Sequence, residues 1–201
     1  MVYQGPMQPT AARQLVLSLP NVLTYARIAA VPAIVGCMYF VPGHGGRWLA
    51  LAIYAAACLT DWLDGYLARV WRQQSALGRM LDPIADKLLV GATLMMLTRD
   101  NTIDGVNVFA GIVILCREIL VSGLREFLAE LNVKVHVTQL AKYKTTLQMV
   151  ALGVLVAGPA GDTVFSGVSA FGLALLWFAA LLTLWTGYDY LKAAVKTAID
   201  S

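Results

Sequence analysis

Asp61-Trp62-Leu63-Asp64-Gly65-Tyr66-Leu67-Ala68-Arg69, followed by Gly78-Arg79-Met80-Leu81-Asp82-Pro83-Ile84-Ala85-Asp86, is the stretch that decides how this chain is read. Asp61, Asp64, Asp82 and Asp86 border segments apolar enough to cross a bilayer. An ionisable group at membrane depth costs a few kcal/mol even on lenient insertion scales, so several of one sign need a compensating partner. Asp61 and Asp64 are three residues apart and Asp82 and Asp86 four, so on helices each pair projects from one face. Gly65, Ala68 and Gly78 extend those faces with small residues, which lets a bulky group approach the backbone beside the acids. Hard carboxylate oxygens in this number suit Mg²⁺ or Mn²⁺, whose shells are completed by water and phosphate oxygens. The pattern therefore predicts a site for a metal-bound diphosphate.

Around this stretch, hydrophobic residues make up 59% of the chain and charged ones 13%, and the mean hydropathy is +0.68. That composition excludes an ordinary soluble domain. Apolar runs near the ~20 residues a crossing needs fall at 21–42, 47–68, 80–99, 105–128, 140–159 and 164–190. The expected fold is an all-α integral membrane protein with six transmembrane helices. Of the 15 Lys and Arg residues, only Arg47 and Arg99 fall on the side opposite the termini, so the positive-inside rule puts both termini and the acidic motif in the cytoplasm. The net charge of +3 is then a topology signal and a weak pull toward anionic lipid, with no bearing on nucleic acid.

Residues 1–19 lack the basic start and apolar core of a secretory signal, and 10–18 suit a short interfacial helix. Residues 20–192 form the six-helix domain and 193–201 a C-terminal tail. Pro83 has no N–H and is best tolerated in a first turn, which predicts a third span starting between Arg79 and Asp82. Cys37, Cys58 and Cys116 have no ligand spacing and read as small hydrophobes, and the isolated His44 and His136 are assigned no role.

Asn21, Thr24 and Arg27 recur every three residues at the start of the first span, a polar stripe that should face protein. Two readings stay open for it: helix capping by Asn21 with Arg27 reaching to the interface, or one wall of a nucleotide pocket. Arg117, Arg125, Lys142 and Lys144 converge on the cytoplasmic mouth. Unless Glu118, Glu126 and Glu130 neutralise them, an anionic substrate is their natural counter-ion.

The acidic stretch spells D-x-x-D-G-x-x-A-R, eight residues, then G-x-x-x-D-x-x-x-D. It resembles the signature of the CDP-alcohol phosphotransferase family at every specified position, a match with chance probability on the order of 10⁻⁸ from average residue usage. Cys116-Arg117-Glu118-Ile119, Leu124-Arg125-Glu126, Lys142-Tyr143-Lys144-Thr145-Thr146 and Gln148-Met149 are similar to segments of the bacterial members that make phosphatidylglycerol phosphate.

The resemblance implies transfer of the phosphatidyl group from CDP-diacylglycerol to glycerol 3-phosphate by a homodimer in a bacterial inner membrane. It further implies two Mg²⁺ or Mn²⁺ ions held by Asp61, Asp64, Asp82 and Asp86, with Asp86 also the catalytic base. Asn21, Thr24, Arg27, Gly65, Ala68, Arg69 and Gly78 would bind CDP, and Arg117, Arg125, Lys142 and Lys144 the acceptor phosphate. Within the family, serine, inositol phosphate or phosphatidylglycerol are rival acceptors. Outside it, the rivals are an intramembrane prenyltransferase, which lacks the Gly-x-x-Ala-Arg element, and a divalent-cation transporter, which would need acids in the outer half as well.

Overall fold

The computed structural model describes residues 19–71, 76–131 and 139–200, with side chains described except at 19–20, 62, 64–71, 76, 79, 130, 139–142, 189–190 and 193–200. Six helices make up its secondary structure: α1 Leu19–Phe40, α2 His44–Trp71, α3 Ala76–Arg99, α4 Asn107–Glu130, α5 Gln139–Asp162 and α6 Val168–Asp200. Each matches one of the six apolar runs to within a few residues, except that α6 continues through Asp200 and so takes in 193–200. The expected interfacial helix at 10–18 lies outside the described residues.

α1 packs on α2 and α3, α2 also on α5, α3 on α4 and α5, and α6 on α4 and α5. The seam between them is apolar, with Ile34, Ala50, Tyr54, Leu89, Leu97, Ile114, Leu152, Leu155 and Leu176 all buried. Outside, large apolar side chains such as Phe40, Met95, Phe109, Phe165 and Trp185 are exposed. Apolar residues both inside and out are what a helix bundle presents to lipid, where backbone polar groups must be satisfied within each helix. Among the described residues three stretches, Asn21–Phe40, Asn107–Ala129 and Val168–Tyr188, are long and apolar enough on their own to cross a membrane. The acids of the site are carried by α2 and α3, and its buried polar groups mainly by α1 and α5.

The third helix corrects one expectation. It begins at Ala76, so Pro83 lies in its interior and not in its first turn. Proline there gives up one intrahelical hydrogen bond, and Ala76 and Leu77, both strong helix formers, still carry the helix back past it. Asp82 and Asp86 consequently sit well inside a helix.

At the end of the bundle away from the acids, α5 is broken by Gly158 (φ 38°, ψ −122°) and Pro159. Proline cannot donate to the Leu155 carbonyl four residues back. Arg47 supplies the donor instead: its Nη1 reaches Leu155 O at 3.3 Å and Val156 O at 3.2 Å. Its Nη2 pairs with Asp100 Oδ2 and donates to Thr102 Oγ1. A Cβ on residue 158 would lie 2.7 Å from Arg47 Nη1, so glycine is needed both for the backbone angle and for the approach of the guanidinium. Nearby, Arg99 lies over the Tyr39 ring, 4.1 Å from its centroid. Asp162 accepts from Ser169 N at 3.0 Å and from Ser169 Oγ, capping the start of α6.

Candidate active site

The opposite end gathers the start of α1, the end of α2 and the start of α3. The polar stripe of α1 points inward there: Asn21, Thr24 and Arg27 are at most 2% exposed. Arg27 Nη1 lies 2.9 Å from Asp61 Oδ1 on α2 and 3.1 Å from Asp86 Oδ1 on α3. One guanidinium thus marks the point where acids from two helices meet. Thr24 Oγ1 donates to Asp82 Oδ1 at 2.5 Å. Arg27 does not reach out to an interface. Asn21 is inside α1 and Arg27 is buried against carboxylates.

Asp61 and Asp86 keep side-chain exposures of 41% and 40%, so the paired acids are open on one side while the arginine that holds them is not. The backbone of Asp64, Gly65, Ala68 and Arg69 is on α2, but their side chains lie outside the described residues. Gly78 is buried on α3, one turn before Asp82. Among the described residues, no three His, Cys, Asp or Glu side chains are drawn into a ready metal cluster. The donor chemistry nevertheless fits a divalent cation: hard carboxylate oxygens from two facing helices, part-exposed and close enough to share one cationic nitrogen.

Beside Asp86 opens a cavity of about 190 Å³, walled by α3, α4 and α5. It brings Arg117, Arg125 and Lys144 together with that aspartate, and it adds Lys87, Glu118 and Gln148. The three cations are not equivalent. Lys144, 2% exposed, is paired with Glu118, whose Oε1 is also 3.5 Å from Arg117 Nη1. Arg117 is further anchored to α6 by Nε to Thr183 O at 3.2 Å and Nη2 to Thr186 Oγ1 at 3.1 Å. Arg125 is exposed at the rim and has no ion pair among the described residues. The Lys142 side chain lies outside the described residues.

Sequence reasoning gave Lys87, Ser122 and Gln148 no role in the site. Lys87 Nζ meets Ser122 Oγ, a pair 35 residues apart that joins α3 to α4 beside the cavity. Spacing held a usable signal for Gln148, which is four residues after Lys144 and so on the same face of α5.

A second, larger cavity of about 510 Å³ runs between α2 and α5 from Asp61 past Leu51, Ala55, Leu59, Met149 and Val150. Its lining is predominantly apolar. Tyr54 OH donates to Met149 O at 3.1 Å and holds the two helices together along it. The arrangement is thus a row of acids with a cation-lined polar cavity on one side and an apolar groove on the other.

Comparison with known proteins agrees with that geometry. Residues 17–185 match the family model described as CDP-alcohol phosphatidyltransferase. Over 89% of its length the chain is 46% identical to a protein of Rickettsia bellii, of which 96% is covered, named CDP-diacylglycerol–glycerol-3-phosphate 3-phosphatidyltransferase. Proteins of the same name from Cereibacter sphaeroides and Shigella flexneri are 37% and 38% identical, each over 91% of this chain and 98% of the relative. On these matches, and on the carboxylate frame they share a chain with, this protein belongs to the CDP-alcohol phosphatidyltransferase family.

Proposed function

We infer that this chain transfers the phosphatidyl group of CDP-diacylglycerol to glycerol 3-phosphate, releasing CMP and forming phosphatidylglycerol phosphate. The observation that carries the reading is the shared cavity, in which Asp86 and the cations Arg117, Arg125 and Lys144 line one space. Serine, as acceptor, would leave those cations without a phosphate. The name carried by relatives at 37–46% identity over nearly the whole chain supports the same acceptor.

In this mechanism Arg125 and Lys144 bind the acceptor phosphate, Arg125 by guanidinium contacts and Lys144 as a point charge. Glu118 bridges Lys144 and Arg117, and the α6 contacts of Arg117 fix that pair at the cavity wall. Asp86 accepts the proton of the primary hydroxyl as its oxygen attacks the diacylglycerol phosphorus. The new P–O bond forms as the bond to CMP breaks, and the electron pair leaves with CMP. Asp61, Asp64 and Asp82, with Asp86, would hold Mg²⁺ or Mn²⁺, which when bound neutralise charge on the diphosphate and on the departing CMP. Asn21, Thr24 and Arg27 wall the CDP side with Gly65, Ala68, Arg69 and Gly78, and the apolar groove between α2 and α5 receives the acyl chains.

The acid-bearing end faces the cytoplasm of a bacterial inner membrane, six helices cross it, and the protein works as a homodimer. The test is CMP release by purified protein given CDP-diacylglycerol, Mg²⁺ and, in turn, glycerol 3-phosphate, serine, inositol phosphate and phosphatidylglycerol. Release dependent on glycerol 3-phosphate is expected, and release only with another alcohol would overturn the acceptor.

A further inference from the structure

Gln148 is 2% exposed, lies in the wall of the cavity it shares with Asp86 and Lys144, and its Oε1 has no hydrogen-bond partner among the described residues. Buried polar atoms are almost always satisfied, so an unsatisfied buried acceptor on a residue that lines a cavity points to a donor that arrives with the ligand. Three of the donors at this wall are engaged elsewhere, and Arg125 lies out at the exposed rim. Lys144 pairs with Glu118, Lys87 with Ser122, and Arg117 with Thr183 and Thr186.

The acceptor molecule has few groups left to offer. A phosphate dianion carries no proton to donate and is matched by Arg125 and Lys144. The reacting primary hydroxyl gives its proton to Asp86. The remaining donor on glycerol 3-phosphate is its secondary hydroxyl. We propose that Gln148 receives that hydroxyl and so makes the enzyme select acceptors that carry one beside the reacting carbon. This rests on the acceptor reading given above. An amide on a helix wall is also a better reader than another charge would be. A carboxylate would repel the phosphate, and a cation would have nothing to receive from the hydroxyl proton.

A site built to hydrogen-bond a substrate hydroxyl rejects the analogue lacking it, because the buried protein group is then left unpaired. The test compares glycerol 3-phosphate with 3-hydroxypropyl phosphate, which keeps the phosphate and the primary hydroxyl but lacks the secondary one. kcat/KM is read by CMP release for the full-length protein and for Gln148→Met, an unbranched apolar replacement of similar length. The wild type is expected to prefer glycerol 3-phosphate by about tenfold or more, the scale of one well-placed hydrogen bond. Gln148→Met is expected to bring the two acceptors close to parity by losing rate on glycerol 3-phosphate. A merely structural role for Gln148 would slow both acceptors alike and leave their ratio intact, which would overturn the proposal.

A wild type that does not distinguish the two acceptors would overturn it as well, and that measurement needs no variant to fold. Gln148→Leu gives a second apolar replacement should Gln148→Met be poorly produced. Turnover of neither phosphate-bearing acceptor, with turnover of a different alcohol, would instead show that the acceptor reading itself is wrong.

Discussion

The two ends of the bundle carry similar chemistry and treat it in opposite ways. At the end away from the acids, charges close on themselves: Arg47 is surrounded by Asp100, Thr102 and the Leu155 and Val156 carbonyls at the α5 break. Arg99 lies on Tyr39, and Asp162 caps Ser169. At the acid-bearing end, Arg27 is buried while its partners Asp61 and Asp86 stay about 40% exposed, and Arg125 stands at a cavity rim. Charges that only hold helices together are satisfied within the chain. Asp61, Asp86 and Arg125, to which the proposed reaction gives a part, are left with an open side. A charged residue in a membrane protein is therefore informative less by its presence than by whether the fold closes around it.

The largest expected effect follows from opening the site further. Asp61→Ala or Asp82→Ala should abolish CMP release, a loss above about 100-fold given the 10–100-fold typical even of groups that only support a metal ligand. The protein should still insert in the membrane and purify, because both carboxylates are part-exposed. Retention of more than about a tenth of the wild-type rate at saturating Mg²⁺ would mean these acids do not bind the metal.

Arg47→Gln should have the reverse profile. It strands Asp100 and leaves the Leu155 and Val156 carbonyls without their guanidinium donors, at a cost of about 1.5–3 kcal/mol for bonds to a charged group. Thermal unfolding in detergent should fall by several degrees while both substrate KM values hold. A shifted KM with unchanged thermal stability would break the division between the two ends.

The smallest effect is at Asp162. Hydrogen bonds from Ser169, side chain first and then backbone, hold its carboxyl below the ordinary aspartate range. A depressed folded pKa means its contribution is present above the unfolded pKa and fades as pH falls through the folded one. Asp162→Asn should therefore lower stability slightly at neutral pH, and the gap to wild type should narrow in acid. A gap that widens on acidification would contradict the capping role.

Much of the active end was legible in the sequence, for a specific reason. Asp61, Asp82 and Asp86 are charges in an apolar context, and helical spacing alone puts them on common faces. The Arg27 partnership was not legible, since Asp86 is 59 residues away and nothing local distinguishes an arginine that meets an acid from one that reaches an interface. Gln148 carries no charge, so the electrostatic reasoning that found Lys144 passed over it. Arg47 was read only as one of two cations on the outer side, because its real partners are backbone carbonyls freed by Gly158 and Pro159 more than a hundred residues later. Pro83 misled for the opposite reason: a local rule about helix starts was outweighed by the helix formers before it and by packing of α3 against α1.

In the proposed reaction the cavity beside Asp86 holds the acceptor phosphate, and Arg125 is the residue whose loss reports on it. Lys144→Gln would also strand Glu118, mixing a folding defect with a binding one, whereas Arg125 has no ion pair among the described residues and leaves no carboxylate behind. Measuring both substrate KM values for Arg125→Gln should show the glycerol 3-phosphate KM raised roughly tenfold or more, the loss of one charge-assisted phosphate contact, with the CDP-diacylglycerol KM much less affected. Equal changes in the two values, or no change in either, would contradict the account and put the phosphate elsewhere.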